Sequence, residues 1–145
     1  MSDTKKNATS SGVFSAEEKA AMKERAREVK ASKTKEGDAA AMAEKIAEMP
    51  KADRVLAEGI GRVVAATAPE LAPKLWYGMP GWARGGTIVL FLQGADKFNT
   101  RYATLGFNDM ATLDDGTMWP TAYAITEWNA ANEKLVETLV SRAVS

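Results

Sequence analysis

Five acidic residues are the clearest candidates for chemistry in this chain, because no basic residue lies among them. Residues 102–133, which hold all of these carboxylates, contain no Lys or Arg. The five are Asp109, Asp114, Asp115, Glu127 and Glu133. Carboxylate oxygens suit hard cations such as Fe²⁺, Mn²⁺ and Ca²⁺. The interval therefore predicts a negatively charged strip that could bind a metal ion.

The same acids also have a purely structural interpretation. The sequence Asp114-Asp115-Gly116 is typical of a turn, where Asp and Gly are favoured for backbone reasons. Glu133 would lie in the first turn of a helix, whose positive end favours a negative side chain. The spacing does not match an EF-hand loop, so both interpretations stay open.

Aromatic residues form a second candidate, in the stretch KLWYGMPGWARGG, residues 74–86. A pocket built from these rings would bind a small ligand or a protein segment. The predicted ligand-binding residues are Trp76, Tyr77, Met79, Trp82, Arg101 and Trp119. Alternatively, the rings fill the space between a sheet and its helices, as aromatic residues do in most cores. Met79-Pro80 is then a bend that redirects the strand into a hairpin.

Four basic residues near the predicted strands could bind a phosphate or a carboxylate. They are Lys74, Arg84, Lys97 and Arg101. The alternative is that they are solvated charges at strand ends, since surface charges are common. No glycine-rich loop leads from a strand into a helix, so no nucleotide-binding loop is predicted.

The chain contains neither His nor Cys. This excludes the Ser-His-Asp triad, a Cys nucleophile and almost every zinc or copper site. An enzyme would need a buried carboxylate or Lys, and no motif indicates one. We therefore predict that the protein is not an enzyme.

The charge distribution and hydropathy of the sequence indicate which partners and which cellular location to expect. The formal net charge is zero, with a mildly basic N-terminal region and a mildly acidic remainder, so no nucleic-acid partner is expected. The first twelve residues have no apolar run, and no segment reaches transmembrane length. We expect no membrane partner and a cytoplasmic location.

The helix-forming segments lie at the two ends of the chain. Residues 1–12 are polar and predict a disordered tail, and residues 13–37 predict a helical extension and linker, with Ser15 as the helix cap. Two helices follow. The first is capped by Asp38 and ended by Pro50, and the second is a core helix over residues 52–68. Gly59 and Gly61 in that helix either allow close packing or are tolerated. Asn129 is predicted to cap a last helix with an apolar stripe of Leu135, Val136, Leu139, Val140 and Val144.

Strand patterns fill the middle of the chain. The segments KLWYGM, GWAR, TIVLFLQ, TRYATLGF and TMWPTAYAIT each predict a strand, with Gly85-Gly86 as a hairpin turn and Pro120 at an edge or bulge. In the last strand, Trp119, Tyr123 and Ile125 are expected to share one face. The fold class is therefore α+β: an antiparallel sheet of about five strands packed against N-terminal helices and a C-terminal helix. Residues 38–145 form this domain.

The motifs WYGMP and DDGTMWPTAYAIT, with the closing amphipathic helix, resemble the YdhG-like family, a domain largely of unknown function. The resemblance covers residues 38–144, and residues 14–30 are similar to a segment often fused to that domain. Some relatives are considered intracellular iron chaperones with a frataxin-like arrangement. The resemblance therefore implies weakly bound iron as a cofactor or cargo, and iron–sulfur or haem assembly proteins as partners.

Two hypotheses follow for function. The first is an iron-binding protein or iron chaperone that uses the five acids. The second is a non-enzymatic module that binds a small ligand or a protein through an aromatic pocket and has no metal role.

Overall fold

The computed structural model describes residues 16, 18, 19, 22 and 35–145. The chain divides into two compact units, Met1–Thr34 and Lys35–Ser145. In the first unit the four described residues are helical and exposed. The predictions of a disordered tail over 1–12 and of a cap at Ser15 lie outside the described residues.

Residues 35–145 form an α+β fold of four helices and a five-stranded antiparallel sheet, which confirms the predicted fold class. The helices are α1 (Lys35–Glu48), α2 (Lys51–Thr67), α3 (Ala95–Phe98) and α4 (Ala130–Ala143). The strands are β1 (Ala72–Pro73), β2 (Gly81–Arg84), β3 (Thr87–Gln93), β4 (Ala103–Phe107) and β5 (Ala122–Ile125). The strands lie in the sheet in their order along the chain.

Helix α1 begins at Lys35, so the prediction that Asp38 caps it is wrong. Asp38 lies in its first turn and its carboxylate lies 3.6 Å from the Lys74 ammonium. This ion pair connects α1 to the segment after β1, and Met42 is the buried residue of the helix. The helix ends two residues before Pro50, as expected from the proline.

Helix α2 is the principal core helix, as predicted, because its apolar residues recur along one face. Leu56, Ile60, Val63 and Val64 are buried, and they meet the sheet residues of the main core. Gly59 allows the ring of Trp128 to lie against the helix, since a Cβ at this position would overlap the indole. Close packing thus explains Gly59, which the sequence left undecided.

The strand predictions hold for β3, whose bounds match TIVLFLQ, and for the hairpin turn before it. Gly85 and Gly86 both have positive φ, at 58° and 85°, between the paired residues Arg84 and Thr87. Two positive φ angles define the type I′ turn that suits a two-residue hairpin. Pro120 lies before β5, where it removes no hydrogen bond from the sheet.

The prediction of a strand over KLWYGM is wrong. Residues 74–79 instead extend the β1–β2 hairpin, with Lys74 N–H donating to Gly81 O at 2.9 Å. The chain reverses at Tyr77-Gly78, where both φ angles are positive, rather than at Met79-Pro80. A Tyr is an uncommon residue at such a position, which is why the pattern did not reveal the turn.

A β-bulge in β3 changes which residues of this strand lie on each face of the sheet. Trp82 pairs with Leu90 and Ala83 with Ile88, so Val89 is the additional residue. The extra residue turns Ile88 to the side opposite Leu90. In agreement, the end of the Ile88 side chain lies 3.2 Å from where a Gly81 Cβ would be.

The inner face of the sheet carries the main core. The core strands contribute Trp82, Val89, Leu90, Leu92, Leu105, Phe107 and Ile125, which pack with buried residues of α2 and α4. Tyr123 and Ile125 face this core from β5, as predicted, whereas Trp119 packs against it from the segment before the strand, so the prediction that it belongs to the strand is wrong. The outer face is formed by Ile88, Phe91 and Gln93 of β3, Thr104 and Gly106 of β4, and Ala122 and Ala124 of β5.

The last helix starts as predicted, because the Asn129 side chain accepts a hydrogen bond from Asn132 N–H at 2.8 Å. Its predicted apolar stripe is only partly correct. Val136 and Val140 are buried with Ala143, whereas Leu135 is 62% exposed. One helical step is about 100°, so Leu135 lies outside the side of α4 that carries the buried Val136 and Val140.

Candidate functional site

The tip of the β1–β2 hairpin places an aromatic ring in solvent. Trp76 and Met79 each donate a backbone hydrogen bond to the other's carbonyl, both at 2.9 Å. Between them, Tyr77 and Gly78 have φ angles of 51° and 78°. This is a type I′ turn, in which Asn, Asp or Gly normally occupies the first central position. Tyr77 is held there at a conformational cost, and its side chain is 84% exposed.

Three rings form a contiguous group beside this turn. The Trp76 ring lies edge-on to Tyr77, with centroids 5.1 Å apart, and tilted against Phe91, with centroids 4.7 Å apart. Such separations are those of interacting aromatic pairs. We call Trp76, Tyr77 and Phe91 the aromatic cluster. Trp76 and Phe91 are half-buried and none of the three belongs to the main core, so the cluster is a separate apolar surface.

The sheet is shaped to receive the Phe91 ring. Gly106 pairs with Phe91 across β3 and β4, and a Cβ at Gly106 would overlap the ring. The far end of the ring therefore lies over the Gly106 backbone in β4. Beyond it, Ala122 and Ala124 are exposed and have small side chains. On the β5 side, the outer face thus consists of small, exposed side chains.

A cleft with a volume of about 400 Å³ opens on the other side of Trp76. Its walls are Lys74, Leu75, Trp76, Gly86, Thr87, Ile88, Asn108, Asp109 and Met110. The two charged side chains in the wall have opposite sign, and Lys74 is already paired with Asp38. The cleft extends the apolar surface of the aromatic cluster towards the β2–β3 turn.

The structure brings together only part of the predicted ligand-binding set. Trp76 and Tyr77 lie in the aromatic cluster, and Met79 lines a different cavity beyond the turn. Trp82 is 2% exposed and fills the main core.

The other two predicted ligand-binding residues lie elsewhere. Trp119 is half-buried against the main core. Arg101 is exposed, and its guanidinium lies 5.2 Å from the centroid of the Tyr102 ring. These two residues and Trp82 form no common site with the aromatic cluster.

The five acids predicted as metal ligands are all exposed. Glu127 accepts a hydrogen bond from Asn129 Nδ2 at 3.0 Å, and Glu133 lies in the first turn of α4. Gly116, which follows Asp114-Asp115, has a φ of 70°, as a turn glycine does. Within the described residues, no group of three or more Asp or Glu side chains is placed to hold a metal ion. Iron binding by these residues stays a prediction.

Two of the four cations considered as anion ligands have acidic partners. Lys74 pairs with Asp38, and Arg84 pairs with Glu70 at 3.3 Å while donating to Val144 O at 3.4 Å. Lys97 has neither an ion pair nor a hydrogen bond among the described residues, and it lies beside the hairpin turn.

Phe91 and Asp53 were missed by sequence reasoning. TIVLFLQ has the pattern of a strand covered on both faces, so it did not indicate that the Phe91 side of the strand is only half-buried. Asp53 is the only buried charged residue in the described part of the chain, at 1% exposure. Its carboxylate accepts hydrogen bonds from Ala95 N–H and Asp96 N–H at 3.0 and 3.1 Å. It therefore caps α3 and has no oxygen free of a donor.

Comparisons with family models, curated proteins and solved structures give no match for this chain. The similarity to the YdhG-like family thus rests on the motifs alone and stays a prediction. None of the helices in the described residues combines the length and apolar character required to cross a membrane.

Proposed function

We propose that this protein is a non-enzymatic binding module that recognises a protein partner through the aromatic cluster and the adjoining outer face of the sheet. The observation that carries the proposal is Tyr77. It occupies a positive-φ position that disfavours it, and 84% of its side chain is exposed. Conformational cost at an exposed aromatic residue is expected where the ring itself is required for binding.

The chemistry of the cluster supports a protein partner. Tyr and Trp are enriched at the centres of protein interfaces, because each buries a large area with few rotatable bonds. Trp76 lies against one side of the Tyr77 ring and is itself packed against Phe91, which reduces the rotamer freedom lost on binding. The small residues Gly106, Ala122 and Ala124 let a partner approach the sheet next to the tip.

The absence of catalytic chemistry supports a binding role. The chain has no His or Cys, and the buried carboxylate of Asp53 is occupied by two backbone donors. Iron–sulfur or haem assembly proteins, which the YdhG-like resemblance implies as partners, are the first candidates to test.

Site-specific photocrosslinking in living cells tests the proposal. A benzoylphenylalanine at position 77 retains an aromatic ring, and the same residue at position 135 is the matched control, because Leu135 is 62% exposed on α4. We expect an adduct of defined mass from position 77 only, suppressed by excess wild-type protein and not by excess Tyr77→Asn. Identical adducts from both positions, or none from position 77, would contradict the proposal.

A further inference from the structure

A second cavity lies on the far side of the hairpin turn from the aromatic cluster. It has a volume of about 270 Å³ and is enclosed by the end of α1, the turn, β3 and α3. Its apolar lining consists of Met49, Pro50, Met79, Pro80, Leu92 and Phe98. A cavity of this size with mainly apolar walls suits a small ligand.

The charged side chains at this cavity are Lys45, Glu48 and Lys97. Neither lysine has an ion pair among the described residues, although Lys45 and Glu48 are three positions apart on α1. The Lys97 ammonium lies 3.4 Å from where a Gly78 Cβ would be, and 5.6 Å from the Phe98 ring centroid. It therefore extends from α3 towards the hairpin turn at the rim of the cavity, with no oxygen partner among the residues that the structure describes.

One further acid lies behind the wall of the cavity. Gly94 lines it, and the Asp53 carboxylate lies behind Gly94, so that a Cβ there would contact Asp53. The Asp53 oxygens already accept two backbone hydrogen bonds, so they are engaged with the N-terminus of α3. The charged side chains that line the cavity are therefore two lysines and one glutamate.

We propose that this cavity binds a small monocarboxylate with an apolar chain, with the chain among the methionine, proline and phenylalanine side chains and the carboxylate at the two lysines. Apolar walls with a few polar groups at one end are the usual composition of a small-molecule site. An unpaired ammonium gains most from a carboxylate, because charge-assisted hydrogen bonds are stronger than neutral ones. The site is separate from the aromatic cluster and does not depend on the proposed protein partner.

Octanoate, with ten non-hydrogen atoms, is the probe for this site. We expect millimolar octanoate at neutral pH to shift the backbone amide NMR signals of Gly78, Met79, Gly94 and Phe98 in the full-length chain. Lys45→Gln and Lys97→Gln should each weaken binding about tenfold, the loss expected for one charge-assisted contact. The matched control Lys134→Gln removes a lysine from an exposed position on α4 and should bind octanoate as wild type does.

Octylammonium separates charge recognition from simple apolar binding. The proposal requires that it binds at least tenfold more weakly than octanoate. Equal binding of the two probes, or full affinity in both lysine variants, would overturn the assignment of the lysines. Absence of shifts at these four amides would overturn the site, provided that the amide spectra show all variants to be folded.

Discussion

The ring of Phe91 lies directly on the backbone of Gly106, its partner on the neighbouring strand. No side chain larger than hydrogen fits at residue 106 while the ring keeps this position. The ring in turn contacts Trp76. The lack of a side chain at Gly106 thus allows the Phe91 ring, and with it the aromatic cluster, to lie close to the β4 backbone.

Gly106→Ala should therefore destabilise the protein by about 1–3 kcal/mol, the usual cost of a forced displacement in a packed region. The free energy of unfolding in urea measures this cost. In a Phe91→Ala background the overlap is gone, so the same substitution should cost less than about 0.5 kcal/mol. An equal cost in both backgrounds would mean that the Phe91 ring is not what the new methyl group meets.

Two substitutions of Tyr77 separate the conformational cost of the turn from the effect of removing the aromatic ring. Tyr77→Ala removes the ring but keeps a residue that disfavours positive φ, whereas Tyr77→Asn removes the ring and supplies one that tolerates it. We expect the Asn variant to be about 1 kcal/mol more stable than the Ala variant. Thermal unfolding of the two variants checks this, and equal stability would show that the turn carries no such cost.

The two glycines of α2 should respond in opposite directions to the same substitution. Gly59→Ala forces a Cβ into the Trp128 ring and should destabilise by about 1–3 kcal/mol. Gly61→Ala meets only Trp82, at an ordinary 3.8 Å, and should stabilise by about 0.5–1 kcal/mol through helix propensity. Urea unfolding of the pair under one condition compares them. A loss of stability in both variants would contradict the packing described for Gly61.

Asp53 is expected to be important for stability rather than for chemistry. Asp53→Ala leaves the Ala95 and Asp96 N–H groups without their acceptor, and should destabilise by about 2–4 kcal/mol. The control is Asp96→Asn, which changes an exposed acid in α3, the short helix that Asp53 caps, and should change stability by less than about 0.5 kcal/mol. Chemical denaturation distinguishes the two, and similar effects would argue against the capping role.

If the acidic residues bind iron, the affinity for Fe²⁺ should depend on their negative charge. Replacing Asp114 and Asp115 with Asn preserves the turn and removes two charges, so folding should barely change. If these carboxylates bind iron, anaerobic calorimetry should show Fe²⁺ binding by the wild type and its loss in the double variant. Equal binding by both proteins, or none by either, would leave these residues as turn formers only.

The sequence by itself determined the elements whose signals are local. The apolar run TIVLFLQ, the paired glycines 85 and 86, the apolar face of α2 and the Asn129 cap each predicted their element correctly. These features depend on neighbours within a few residues, and such neighbours are visible in the sequence. The order of helices and strands then gave the α+β class.

Only the tertiary structure decided which residues share a surface. The bulge at Val89 depends on pairing with β2, and it turns Ile88 away from the inner face. The Phe91 ring contacts Gly106, which lies 15 positions after it in the sequence, and Trp76, which lies 15 positions before it. A one-residue change of register reverses the face of every later side chain, and a sequence pattern cannot contain that information. For this reason the sequence found Tyr77 and Trp76, whereas Phe91 and the cavity beside Lys97 appeared only when the strands were paired.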